Sequence, residues 1–243
     1  MKNFFAVLGG MGSVATESYV RQVNKFTHAH SDQEYLDYVV FNHASVPDRT
    51  AYILDPDHSA NPVEPLLEDI KQATQLGASF IALTCNTAHY FYDTFQNATN
   101  IPILHMPRIA VEELEHSLPA TDSSRRYRVG FLGTEGSLKA GIYQHEIEEG
   151  GYEFVRPDAS VQADVNHLIY EDIKANDYLN EDLYRRTVAT MFSDYGVDAV
   201  ILGCTELSVL AEAFPSTTEA PVIDAQLALV FRTIEEAKKL RLQ

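Results

Sequence analysis

The strongest constraint on how this chain folds is its alternation of short, almost wholly apolar runs with longer stretches of helical period. FFAVLGG (4–10), YVVFNHA (38–44) and SFIALTC (79–85) are separated by ESYVRQVNKF (17–26) and EPLLEDIKQATQLG (64–77). Strands this apolar offer no face to water, so they belong in a parallel sheet covered by helices on both sides. The expectation is an α/β fold with open, mostly parallel sheets. A length of 243 residues with 45% apolar residues supplies a core for one large domain or two smaller ones.

The second half repeats the order of the first: YRVGFLGTEG, LKAGIYQHEIEE, YEFVRPD, LYRRTVATMFSDYG and VDAVILGC. Gly9, Gly12 and Ser13 align with Gly133, Gly136 and Ser137, and Ala44-Ser45-Val46 aligns with Ala159-Ser160-Val161. Gly77 and Cys85 lie eight residues apart, as do Gly196 and Cys204. Collinear echoes of this kind indicate a duplicated unit. We expect a first α/β domain over 1–106 and a second over 107–221, similar and related by a pseudo-twofold. The prolines of IPILHMPR and the loop PATDSSRRYR mark the link between them. The segment 222–243, a short strand and an amphipathic helix, is expected to pack back on the first domain. Two crossings of the chain leave a cleft between the domains, where small-molecule sites favour the carboxyl ends of strands.

Charge narrows the partners. The 35 acidic residues against 18 basic ones give a formal net charge of −17, which repels nucleic acid and anionic lipid surfaces. No run reaches the ~18 apolar residues needed to span a membrane, and the opening MKNFFAVLGG is unlike a secretory leader. The expected setting is cytoplasmic, where the two cysteines stay reduced rather than forming a disulfide.

Both cysteines close an apolar strand and precede a polar turn, in FIALTCNTAH and AVILGCTEL. At a strand-to-helix switch a side chain projects from the sheet edge, and the N–H groups that open the next helix favour a thiolate. A single cysteine there reads as a small core residue; two at equivalent places in an echoed pair read as chemistry. Paired thiols on facing domains suit a racemase, which removes a proton from one face of a carbon and returns one to the other. A metal site is the rival. Cys85 and His89 are one helical turn apart, but the second half has no matching histidine, so no metal is expected.

GGMGSVAT, LTCNTAH and LGCTELSVL resemble the aspartate racemase branch of the aspartate/glutamate racemase superfamily, over nearly the whole chain. The resemblance implies two α/β domains, no pyridoxal phosphate or metal cofactor, a homodimer, and catalytic Cys85 and Cys204 facing each other across the substrate. It further implies that Cys85 acts on the D-form and Cys204 on the L-form. Glutamate racemases carry an Asp-Ser-Gly turn and a histidine after the second Cys-Thr. This chain has Gly10-Met11-Gly12 and Glu206, which points to aspartate. Glutamate or dual specificity and dicarboxylate cis-trans isomerisation remain open, as does, outside enzymes, an amino-acid-binding module.

The resemblance places the substrate-binding residues Arg49, with Thr50 beside it, and Lys174. A guanidinium suits a bidentate carboxylate contact, and an ammonium supplies a point charge. Read by themselves, Arg49 beside Asp48 fits a surface ion pair and Lys174 an exposed helix position. Asn86, Thr87 and Thr205 follow the cysteines and suit the α-carboxylate. Met11, Gly12 and Ser13 are expected to line the same pocket, with His89 and Glu206 behind the thiols.

Overall fold

The structure, a computed structural model, describes residues 2–119, 125–216 and 220–242; residues 120–124 of the expected linking loop lie outside the described residues. The first half runs β1 (Phe5–Gly9), α1 (Ser13–Thr27), β2 (Tyr38–Asn42), α2 (Arg49–Leu54), α3 (Val63–Gln75), β3 (Ile81–Leu83), α4 (Tyr92–Asn97) and β4 (Ile103–Leu104), then α5 (Met106–Ser117). The second half opens with β5 (Arg128–Gly133), α6 (Glu135–Ala140), α7 (Ile142–Glu149), β6 (Glu153–Val155) and α8 (Ala159–Asn166), which passes into a π-helix, His167–Ala175. It closes with α9 (Glu181–Ser193), β7 (Ala199–Gly203), α10 (Thr205–Ala213), β8 (Val222–Asp224) and α11 (Ala225–Arg241). The two four-stranded sheets have the orders β2-β1-β3-β4 and β6-β5-β7-β8, and every pair is parallel. The same order twice is the duplication that the glycine and cysteine spacing announced.

Both faces of each sheet are covered, as the apolar strands require. Along β1, Phe5 and Val7 share a core with Val129 and Phe131 of β5, while Ala6 and Leu8 face Leu66 and Ile70 of α3. Each fully buried leucine or isoleucine of this kind contributes about 1.5–3 kcal/mol. Helix α5 leaves the first sheet to lie on α7 of the second half; α11 leaves the second sheet to lie on α1 of the first. Tyr19 of α1 and Thr233 of α11 share a buried hydrogen bond of 2.6 Å. Each half thus lends its last helix to the other, the exchange a pseudo-twofold produces.

Local chemistry explains the turns that deliver the cysteines. Gly77 after α3 and Gly196 after α9 both have positive φ, 81° and 59°, a conformation that costs glycine little. The same bend therefore feeds each cysteine strand. The Ala-Ser-Val echo is looser: 44–46 form a turn, whereas 159–161 open α8 beneath the cap of Asp158.

Three expectations need correction. Arg49 is buried at the start of a helix rather than held in a surface ion pair: the Asp48 carboxylate instead accepts the Ala51 N–H at 2.7 Å and caps α2. LKAGIYQHEIEE is broken into α6 and α7 at Gly141, whose φ is 67°. The segment from 222 divides: Val222–Asp224 pairs with β7 as the edge of the second sheet, and only the helix after it reaches α1.

Candidate active site

In each sheet the strand order turns back between the two central strands, β1 and β3 or β5 and β7. The crevice outside their carboxyl ends is where open parallel sheets bind ligands. Cys85 stands just past β3, and Cys204 follows β7 as the N-cap of α10. Both are free thiols and buried. They wall one small, narrow cavity between the halves. Met11, Asp48, Arg49, Thr50, Asn86 and Thr87 complete the wall from the first half; Thr134, Tyr170, Lys174, Thr205 and Glu206 complete it from the second.

On the Cys204 side the thiol donates to Glu206 Oε2 at 2.9 Å. Burial, then the charge of Glu206, hold the Cys204 acid dissociation well above the usual thiol range, against an opposing pull from Lys174. Cys204 is therefore a protonated thiol at neutral pH. Lys174 Nζ faces the other oxygen, Oε1, at 3.6 Å. Burial works against the Lys174 charge, but Glu206 and Cys204 outweigh it and raise its pKa. The π-helix carries both Lys174 and Tyr170, and the ammonium sits 5.2 Å from the Tyr170 ring centre. Burial pushes the Tyr170 hydroxyl up to about 12, partly offset by the neighbouring Thr50. Thr50 stands on α2 of one half and Tyr170 on the π-helix of the other.

The Cys85 side has the opposite electrostatics. Arg49, buried to 7% exposure, donates to Met11 O at 3.0 Å, Pro47 O at 2.9 Å and Val46 O at 3.2 Å. Its guanidinium and Cys85 wall the same cavity; burial lowers its pKa, but Cys85 and Asp48 more than restore it. Three of its five N–H groups are spent on main chain, so a free, fork-shaped carboxylate grip is not what the fold leaves; the Nε–H is left without a partner. His89 is clamped beneath. Its Nδ1 bonds to Cys85 O at 2.8 Å, and its Nε2 accepts the Met106 N–H at 3.1 Å, which places the ring proton on Nδ1. Burial and the neighbouring His105 drop its pKa to about 3, so the ring is neutral. It holds the Cys85 main chain and does not reach the sulfur through a hydrogen bond.

Asn86 Oδ1 accepts a hydrogen bond from the Tyr143 hydroxyl of α7, while its Nδ2 is buried without a partner. Arg49 Nε and Glu206 Oε1 are likewise buried without a hydrogen-bond partner, although Lys174 faces Oε1 as an ion pair. Each such group costs about 1–3 kcal/mol in a folded protein, and their convergence on one cavity marks a place built to be filled. Thr87 Oγ1 meets Thr134 Oγ1 at 3.0 Å and Ser137 Oγ at 3.1 Å, a hydroxyl cluster that ties the halves.

Of the residues expected here, Ser13 lies elsewhere. It is exposed, accepting from Asn42 Nδ2 at 3.1 Å, because it starts α1 pointing outward; its echo Ser137 is the buried one. Gly12 is beside the cavity rather than on it: a side chain there would come within 3.1 Å of Glu206 Oε1. Four residues escaped the sequence reading. Thr134 is the counterpart of Gly10 in the glycine echo, and Tyr170 sits four before Lys174, so both had a signal. Asp48 shows in the sequence only as a charge beside Arg49. Tyr143 had none, since its contact spans 57 residues.

Residues 8–233 match the family described as Asp/Glu/hydantoin racemase. The chain is 28% identical over 232 residues to the broad specificity amino-acid racemase RacX of Bacillus subtilis (strain 168), covering 94% of this chain and 95% of that one. It is 27% identical over 157 residues to the glutamate racemase of Aquifex pyrophilus, covering 63% of this chain and 56% of that one. The solved aspartate racemase of Picrophilus torridus superposes with a TM-score of 0.79 at 28% identity, over 100% of this chain and 99% of that one. With a match across nearly its full length and the same fold, this chain belongs to the Asp/Glu/hydantoin racemase family.

Proposed function

We propose that the chain racemises an amino acid, with aspartate as its main substrate, by proton transfer between Cys85 and Cys204 without pyridoxal phosphate or metal. The observation that carries this is the pairing of two thiols on one small cavity in opposite electrostatic settings: Cys85 beside a guanidinium, Cys204 donating to a carboxylate.

In one direction the Cys85 thiolate takes the α-proton, and the electron pair left on the α-carbon spreads into the α-carboxylate. The S–H of Cys204 then delivers its proton to the opposite face. The product has inverted configuration, Cys85 has become a thiol and Cys204 a thiolate, and the reverse turnover or exchange with water restores the start. Lys174 stabilises the Cys204 thiolate as it forms, offsetting its burial. Asn86 Nδ2, Thr87 and Thr205 bind the α-carboxylate, and donors fixed where charge develops are the largest source of rate enhancement in such steps. Arg49 Nε and Lys174, on different halves, suit the two carboxylates of a compact dicarboxylic amino acid. A cytosolic setting keeps both thiols reduced, and the homodimer implied by the sequence resemblance is checked by sedimentation.

The test is α-hydrogen exchange and loss of optical purity in D2O, using chelator-treated protein free of pyridoxal phosphate. The panel is aspartate, glutamate, neutral and basic amino acids, and cis dicarboxylates. Racemisation of aspartate ahead of the others supports the proposal. Preference for glutamate or for a wide range of amino acids moves the substrate, isomerisation of a cis dicarboxylate alone replaces the reaction, and binding without turnover leaves an amino-acid-binding module.

A further inference from the structure

Tyr143 is not on the cavity wall, yet it controls a group that is. It is fully buried on α7, its ring stacked on Phe131 with centroids 4.5 Å apart. Its hydroxyl crosses between the halves and donates to Asn86 Oδ1, and among the described residues it has no other hydrogen-bond partner. Asn86 lines the cavity that holds both cysteines, and the far end of its amide, Nδ2, lies buried without a hydrogen-bond partner.

An asparagine side chain offers a carbonyl at one end and an NH2 at the other, in nearly the same shape, so only its neighbours decide which way it faces. Burial, followed by the charges of Asp224 and Cys204, holds the Tyr143 acid dissociation well above the usual phenol range, so the hydroxyl keeps its proton. A buried O–H must find an acceptor, and a flipped Asn86 would present two N–H groups to it instead. The flipped state leaves one donor stranded against another.

We propose that Tyr143 is a positioning residue that fixes the Asn86 amide with its NH2 toward the cavity, ready to donate to the α-carboxylate of the substrate. The identity of that carboxylate rests on the racemase reading; the orientation of the amide does not. As the α-proton leaves, charge moves into the carboxylate, and a donor already aimed there needs no reorganisation. Tyr143 acts only through Asn86, and its ring packing is separable from its hydroxyl.

The experiment compares wild type with Tyr143→Phe, Asn86→Ala and the double variant, each checked for folding by circular dichroism and urea unfolding. Steady-state kinetics use whichever amino acid the wild type racemises fastest. Tyr143→Phe is expected to lower kcat/KM about tenfold, Asn86→Ala by at least as much, and the double variant no further than Asn86→Ala. An independent readout is the Asn86 side-chain NH2 in nitrogen-15 NMR spectra of the ligand-free proteins: one sharp pair in wild type, broadened or doubled in Tyr143→Phe. Wild-type kinetics in Tyr143→Phe, or losses that multiply in the double variant, overturn the proposal. If the wild type turns over no amino acid, the functional reading fails, and the amide signal alone decides: one unshifted pair in both proteins overturns the positioning role.

Discussion

The thiol of Cys204 donates to Glu206 Oε2 across 2.9 Å, two residues along the chain. The same carboxylate turns its other oxygen to Lys174 at 3.6 Å. A carboxylate wedged between a thiol and an ammonium favours the proton on sulfur. When Cys204 gives that proton up, Lys174 is in place to meet the new charge. In the proposed two-thiol cycle, Glu206 sets the acid of one turnover and Lys174 the base of the reverse one.

Replacing Glu206 by glutamine tests this with a defined sign. The Glu206 charge raises the Cys204 pKa, and so does its acceptance of the thiol proton. Glutamine removes the charge, so Cys204 loses its proton more readily. The proposed mechanism needs one proton shared between the two thiols, and its alkaline limb reports loss of that last proton. The limb in the kcat/KM profile should therefore move to lower pH, with activity at neutral pH falling about tenfold to a hundredfold. An unmoved limb removes Glu206 from this role.

The cysteines should separate by the hydrogen each removes. In Cys204→Ser, α-deuterium washout from D-aspartate in water should persist through Cys85 while washout from L-aspartate and net racemisation fall by ~10³-fold or more; Cys85→Ser should do the reverse. Mass spectrometry of substrate recovered after partial reaction reads this directly. Equal loss of both washouts in each variant contradicts the assignment of faces, and near-normal racemisation in either variant ends the two-thiol mechanism.

What was readable in the sequence follows from how local each signal is. The four central strands are apolar on both faces, so they could be placed by composition alone, and the two cysteines came with them because each ends such a strand. Helix α2 was not readable: six residues with no full apolar period form a helix only because Asp48 caps it. Ser13 and Ser137 have the same neighbours in sequence and opposite burial, because α6 packs against α2 of the other half while the start of α1 faces outward. The Asn86 to Tyr143 bond joins two halves whose relative placement no local pattern encodes.

Arg49 is expected to resist substitution even by lysine. Its guanidinium pins the Met11 turn to the Val46 and Pro47 carbonyls on the cavity wall that it shares with Cys85. A lysine ammonium has its three donors on one atom and cannot span those directions. Arg49→Lys should lose about 1–3 kcal/mol from unpaired carbonyls. For a domain of this size that is a fall in melting temperature of roughly 2–4 °C per kcal/mol. Activity should fall ~10²-fold or more, as expected when a catalytic group is displaced by about 1 Å. Thermal melts and kcat/KM check both; a lysine variant with wild-type values for each shows that Arg49 is replaceable.

His89 makes acid sensitivity a property of the cysteine strand. In the folded protein its pKa drops from 6.5 to about 3, because burial and His105 oppose its charge. Between those values the unfolded chain binds the proton and the folded one does not, so stability falls as pH falls through that window, by up to ~1.4 kcal/mol per pH unit. His105, lowered to about 4 first by burial and then by Arg108, acts in the same direction. Replacing His89 by alanine takes away one of these groups, along with the partners of Cys85 O and Met106 N. The variant should be less stable at neutral pH by about 2–4 kcal/mol, yet lose less of its remaining stability on acidification. Urea midpoints measured from neutral pH downward distinguish the outcomes, and a pH slope in His89→Ala as steep as that of the wild type would show that the ring is not held neutral in the fold.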